Sequence, residues 1–214
     1  MSLEVEPQRT GGRRWARTEE TRRQLLDASR EVFAEKGYTV ASVSDVVARA
    51  DSSVGSVYHH FGGKEQLYLA LWEEYVDRLA AAAAASVAKV RKSGVESPLD
   101  QFEAGALAYL DAVWEDRELL PVFYAGDGPP GFEVMRRRRN TEWIRRNLQV
   151  LGLGASDEDK LLGAILTALI GEAARMTAGC ETKRQARRVA RHAIALAQRL
   201  FDGEIATDSP PAPE

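Results

Sequence analysis

The stretch from Thr39 to Lys64, TVASVSDVVARADSSVGSVYHHFGGK, constrains the fold more than any other part of the chain. It reads as two short helices joined by a tight turn, followed directly by the start of a third. Ser42 N-caps the first, and Asp45 completes a capping box. Val43, Val46 and Val47 share one face at helical spacing, and Ala50 closes the helix. Asp51-Ser52 makes the turn, because both side chains compete for the local backbone and favour leaving a helix. Ser53 caps the second helix, where a turn of about 100° per residue groups Val54, Val57 and Phe61 on one side. Gly55, Ser56 and His59 fall on the opposite side, with Tyr58 and His60 on the flanks. One side is built to pack and the other to touch something. Gly62-Gly63 stops the helix, and Lys64 opens the next.

A helix, a tight turn and a helix with a polar outer face is what helix-turn-helix recognition of DNA requires. The residues sharpen that reading. The run TRRQLLDASREVFAEKGYTVASVSDVVARA, together with SSVGSVYHHFGGKEQL, closely resembles the DNA-binding domain of the TetR (tetracycline repressor) family. The features that match are Phe33, the Lys36-Gly37-Tyr38 end of helix 1, Ser42, the Gly55-to-Phe61 core and Lys64-Glu65. The rest of the chain matches in helix pattern only. The family usually carries Gly-Val in the turn, where Asp51-Ser52 stands here.

This resemblance implies an all-α fold: a three-helix helix-turn-helix domain, then a larger helical ligand-binding and dimerisation domain, about nine helices in all. It also implies a homodimeric repressor with helix 3 of each subunit in the major groove of a palindromic operator, released by a small-molecule effector. Ser53, Gly55, Ser56 and His59 are then the base-edge candidates. Ser42, Tyr58, His60 and Lys64 are the phosphate candidates, Ser42 and Lys64 because helix N-terminal amides also point there. The rival reading is a small-molecule-binding or scaffold protein whose helix-turn-helix has lost specific DNA binding, and the Asp51-Ser52 turn is what sustains it.

The chain has 214 residues and a net charge of −3, so attraction to DNA must come from local charge. Residues 1–17 carry Arg9, Arg13, Arg14 and Arg17, and read either as a solvated tail or as a flexible basic arm. Arg13 and Arg14 are its DNA-contacting candidates. The organisation expected is this arm, a DNA-binding domain over 18–64, a ligand-binding and dimerisation domain over 65–203, and a disordered tail over 204–214. One cysteine, Cys180, suits a reducing cytoplasm and reads as an inert core residue. The longest apolar run, Leu161–Ile170, is short and flanked by charge, so no membrane is expected.

Helix 1 is expected from Glu19 to Lys36, with Thr18 as N-cap, Gly37 as stop, and a core stripe of Leu25, Leu26, Ser29, Val32 and Phe33. In helix 7, FEVMRRRRNTEWIRRNLQVL, the successive arginines Arg136 to Arg139 sweep about 300° and cannot share one solvated face. Arg136 therefore either pairs with an interior acid such as Asp111 or Glu115, or faces an effector. In the second case Asn140 and Asn147 extend its polar stripe, and Phe102, Tyr109, Phe123, Trp143 and Met176 supply the wall. Such a cavity would suit a mostly apolar molecule with an anionic or carbonyl end.

Helix 8 has a bulky face (Leu162, Ile165, Leu166, Leu169, Ala173, Met176) and a small one (Gly163, Ala164, Thr167, Ala168, Gly171, Ala174). The small face, with Val189, Ala193, Leu196 and Leu200 of helix 9, is expected to meet a second subunit in a four-helix bundle. No enzyme and no cofactor is expected. His59-His60, His192 and Cys180 lack metal-ligand spacing, and no Gly-rich phosphate loop follows a strand.

Overall fold

The computed structural model describes residues 10–203, with side chains from 17 onward. Among these residues it is all helical: α1 (Thr10–Val40), α2 (Val43–Arg49), α3 (Val54–Phe61), α4 (Lys64–Lys92), α5 (Pro98–Glu115), α6 (Leu119–Tyr124), α7 (Phe132–Leu151), α8 (Asp157–Ala178) and α9 (Lys183–Phe201). The expected start of helix 1 was too late. Thr18 lies inside α1 and does not cap it, and residues 10–17 continue the helix instead of forming a loose arm. Arginines there are good helix formers, and Gly11-Gly12 fall in the first turn, where a weak former costs least. The Arg13 and Arg14 side chains, and the tail over 204–214, lie outside the described residues.

The described chain forms two compact units, 10–75 with 122–129, and 76–121 with 130–203. The first thus runs past Lys64 into α4 and takes in a short segment that the chain supplies only after α5. Its core is the expected α1 stripe of Leu25, Leu26, Ser29, Val32 and Phe33, all buried, closed by Val46, Val57, Leu67, Tyr68, Leu71, Trp72 and Tyr75. Ser29 is tolerated there because its hydroxyl donates to the Leu26 carbonyl at 2.8 Å.

The caps of the two short helices are local chemistry. Ser42 and Asp45 form the reciprocal box, and Ser53 accepts from the Ser56 amide. Between the helices, Asp51 takes the left-handed conformation at φ 46, and the Ser52 amide reaches back to the Val47 carbonyl at 3.0 Å. Among residues with a side chain, Asp and Asn tolerate that conformation best. Asp51 therefore does here what glycine does more cheaply. Val54, grouped with the packing side, is 44 % exposed, since the first turn of α3 overhangs its neighbours.

In the second unit α8 packs against α5, α7 and α9. Its orientation corrects the interface assignment. Gly163, Thr167, Ala174 and, on α9, Ala193 are buried within the subunit. A Cβ on Gly163 would come within 2.6 Å of Leu148, so the small face seats α7. The exposed stripe of α8 is instead Leu161, Ile165, Ala168 and Met176, with Leu196 exposed on α9. Ala164, Gly171, Val189 and Leu200 are half-buried at its margins. By length and composition α8 is apolar enough to cross a bilayer, with a hydropathy of 1.4 over its most apolar window. That corrects the reading of Leu161–Ile170 as the longest apolar stretch.

Candidate nucleic-acid interface

The helix-turn-helix is braced before it is functional. Arg49 of α2 grips Glu35 of α1 through two parallel bonds of 2.6 and 2.8 Å. Lys36 reaches Asp45 at 2.7 Å, and this ion pair, followed by the Ser42 contacts, holds the Asp45 carboxyl well below the usual carboxylate range. Ser42 spends its hydroxyl proton on Asp45 at 2.8 Å, so its side chain serves the cap and leaves no donor for a phosphate.

The outer face of α3 presents Ser53, Gly55, Tyr58 and His59, all exposed, with Ser56 and His60 half-buried. Ser53 Oγ and Ser56 Oγ are 3.0 Å apart and share a proton. A Cβ on Gly55 would meet only Ser53 Oγ, at 3.7 Å, an ordinary contact. Nothing in the fold requires glycine there. Its absent side chain leaves a low step on the exposed face of α3.

His59 and His60 stack edge to face with ring centroids 5.0 Å apart. Burial, then the neighbouring His59 and Arg22, push the His60 pKa down, against a smaller upward pull from Glu19. Its folded value therefore lies below the unfolded one, and the free protein loses stability as pH falls through the histidine range. A phosphate at His60 would favour the cation and draw in a proton. Operator affinity is thus expected to rise between about pH 8 and pH 6 at fixed salt, with a shallower rise in His60→Gln. Identical pH profiles for the two proteins would remove His60 from the phosphate contacts.

Lys64 does not project outward. Its ammonium bonds the carbonyls of Tyr38 at 2.7 Å and Ala41 at 2.8 Å, with Thr39 at 3.4 Å, and sits 4.4 Å from the Tyr38 ring centroid. It caps the end of α1 and has no proton left for a phosphate, which corrects its assignment. Lys64→Met, which keeps the stem and removes the charge, is expected to cost about 2 kcal/mol of stability. A thermal melt checks it: a plain phosphate contact would leave the midpoint where it was.

The residues assigned to an effector cavity are not brought together. Phe123 belongs to the first unit, packed between Tyr68 and Tyr75 with both ring centroids at 5.4 Å. Asn140 and Met176 are exposed. Asn147 donates to Thr167 Oγ1 at 2.9 Å, linking α7 to α8. Arg136 pairs with Glu133 on its own helix at 3.0 Å. Arg139 reaches across to Asp77 of α4 and also pairs with Glu142 on its own helix. Only Phe102, Tyr109 and Trp143 keep the expected character: Phe102 is buried, and the other two rings meet edge to face at 5.3 Å. An ion pair that the sequence reading missed joins Arg78, half-buried, to the buried Asp116 at 2.7 Å.

Residues 25–71 match the profile of the family described as bacterial regulatory proteins, tetR family. Over 62 residues the chain is 44 % identical to the HTH-type transcriptional repressor Rv1474c of Mycobacterium tuberculosis, covering 29 % of this chain and 33 % of that protein. It is 43 % identical over 61 residues to the HTH-type transcriptional activator FasR of Mycolicibacterium smegmatis, 28 % of each chain. Residues 25–71 are a TetR-family segment. The chain matches about a third or less of the length of these relatives. The TetR-family segment holds every candidate from Ser42 to Lys64 and excludes Arg13 and Arg14. Beyond it the likeness is one of fold. A TetR-like transcriptional regulator from Rhodococcus sp. RHA1 superposes with a TM-score of 0.70 at 22 % identity, over 86 % of this chain and 96 % of that one. A regulator from Aquifex aeolicus gives 0.67 at 19 %, over 85 % and 99 %.

Proposed function

We propose that this TetR-family protein is a cytoplasmic, homodimeric transcriptional repressor that reads a palindromic operator through α3 and is released by a small molecule held in its second unit. The observation that carries the DNA-binding reading is the outer face of α3. Ser53, Gly55, Ser56 and His59 line one side of a short, capped helix, with Ser53, Gly55 and His59 exposed and Ser56 half-buried. That face is small and polar and includes no Arg or Lys fork to grip guanine. Phosphate contacts and groove fit therefore supply most of the affinity. The left-handed Asp51 supports this over the scaffold reading, since it keeps the turn closed where the family usually has glycine. Leu161, Ile165, Ala168 and Met176 on α8, with Leu196 on α9, form an exposed apolar seam for the second subunit. For the effector, the Phe102, Tyr109 and Trp143 cluster supports a mostly apolar ligand.

The test is selection of bound duplexes from a random pool by the full chain. Recovery of an inverted repeat with half-sites one helical turn apart, or a multiple of that, supports the reading. Failure to enrich any sequence at low salt would return the protein to the scaffold class.

A further inference from the structure

Eighty-eight residues separate Asp127 from Thr39, yet the Asp127 carboxylate accepts the Thr39 amide at 3.1 Å and the Thr39 hydroxyl as well. The Thr39 hydroxyl, then the Thr39 and Tyr38 amides, hold the Asp127 carboxyl below the usual carboxylate range. Residue 37 is glycine, which leaves room for this approach and takes the left-handed backbone without strain. Gly37 sits at φ +72, and a Cβ there would stand 2.5 Å from Asp127 Oδ2. The main chain that carries Asp127 is itself anchored. The Tyr68 hydroxyl of α4 contacts the Val122 carbonyl at 2.9 Å and the Asp127 carbonyl at 3.3 Å. Beneath it, the rings of Phe33, Tyr38 and Phe123 each meet the Tyr68 ring edge to face, with centroids 5.3, 4.9 and 5.4 Å away.

The corner between α1 and α2 is therefore held by both of its polarities. Its amides are taken by a carboxylate, and its carbonyls, at Tyr38 and Ala41, by the Lys64 ammonium. Immediately after this corner comes Ser42, the N-cap of α2, against which α3 packs. We infer that Asp127 is a positioning residue for DNA binding: it touches no DNA itself, but through Thr39 and Tyr38 it sets the corner from which α2 and α3 are presented. This inference rests on the proposed DNA-binding function and assigns part of it to a residue far outside the family-matched segment, 25–71. A side chain that acts through another should change affinity without changing which bases are preferred.

The experiment compares Asp127→Ala, Thr39→Val, their combination and Thr39→Ser, each in the full chain, on the duplex that the wild-type protein selects from random DNA. Thr39 is exposed and Asp127 half-buried, so neither change removes core. Affinity is expected to fall about tenfold in Asp127→Ala and about threefold in Thr39→Val, with the double variant no weaker than Asp127→Ala alone. Thr39→Ser, which keeps hydroxyl and amide, should bind like wild type, and the selected base pattern should be the same throughout. Wild-type affinity in Asp127→Ala, or losses that multiply in the double variant, would overturn the positioning role while leaving the regulator reading intact. No duplex enriched by the wild-type chain would sink the regulator reading and this inference with it.

Discussion

Gly55→Leu should melt at or above the temperature of the parent protein and bind operator about a hundredfold more weakly, a loss of about 2.7 kcal/mol. The two effects have separate causes. In an exposed helix, replacing glycine by leucine gains roughly 0.5–1 kcal/mol from the smaller backbone entropy of the unfolded chain. No clash opposes that gain, because the nearest atom to an added Cβ is Ser53 Oγ at 3.7 Å. A leucine would, however, stand up on the face of α3 that carries Ser53, Ser56 and His59, and would hold the helix away from base edges. Stability and affinity moving in opposite directions would locate the cost at the intermolecular contact. If both fell together, Gly55 would be a folding residue; if affinity held, α3 would present another face to DNA. His59→Ala gives a milder check, relaxing preference at particular base pairs without a uniform loss.

Ile165→Arg is the second large effect. Ile165 is 41 % exposed on α8, in line with Leu161 and Met176, so a guanidinium there costs the isolated subunit little. In a helix–helix seam the same charge would be buried without a partner. The variant is expected to sediment as a monomer. Its operator affinity should drop a hundredfold or more, because two linked half-site contacts gain from effective concentration and a single one does not. An intact dimer in Ile165→Arg would move the interface off this stripe. Gly163 offers the contrast: it is seated against Leu148 within the subunit, so a larger side chain there should unfold α7 from α8 before it reaches any partner.

The helices and their limits were written locally, and so could be read. Ser42, Ser53, Ser97 and Ser156 each cap a helix through a bond to the residue three places on. Gly37 and Gly62 break helices by a backbone conformation that belongs to one residue. Periodicity found the α1 stripe for the same reason, since the face of a helix is a property of its own sequence. The TetR-family motif is one continuous stretch, and its outer face needed nothing from elsewhere to be recognised.

What the sequence left open depended on partners distant in the chain. Both faces of α8 are apolar, and periodicity cannot say which one is inside. The packing split both faces: Gly163 is seated under Leu148, and Leu166 and Ala173 are buried, while Leu161, Ile165 and Ala168 lie outside. Arg136 and Arg139 are alike in sequence, but Arg136 pairs with Glu133 on its own helix and Arg139 reaches Asp77 on another. Lys64 looked like a phosphate ligand because it opens a helix, whereas its ammonium is used 26 residues back on the Tyr38 carbonyl. Asp127 lay in a loop with no pattern at all. A long side chain commits its polar end to whatever donor or acceptor the packed core brings within about 3 Å. Only the tertiary structure places that partner, and here it assigned one lysine and one aspartate to the corner that carries the DNA-binding helices.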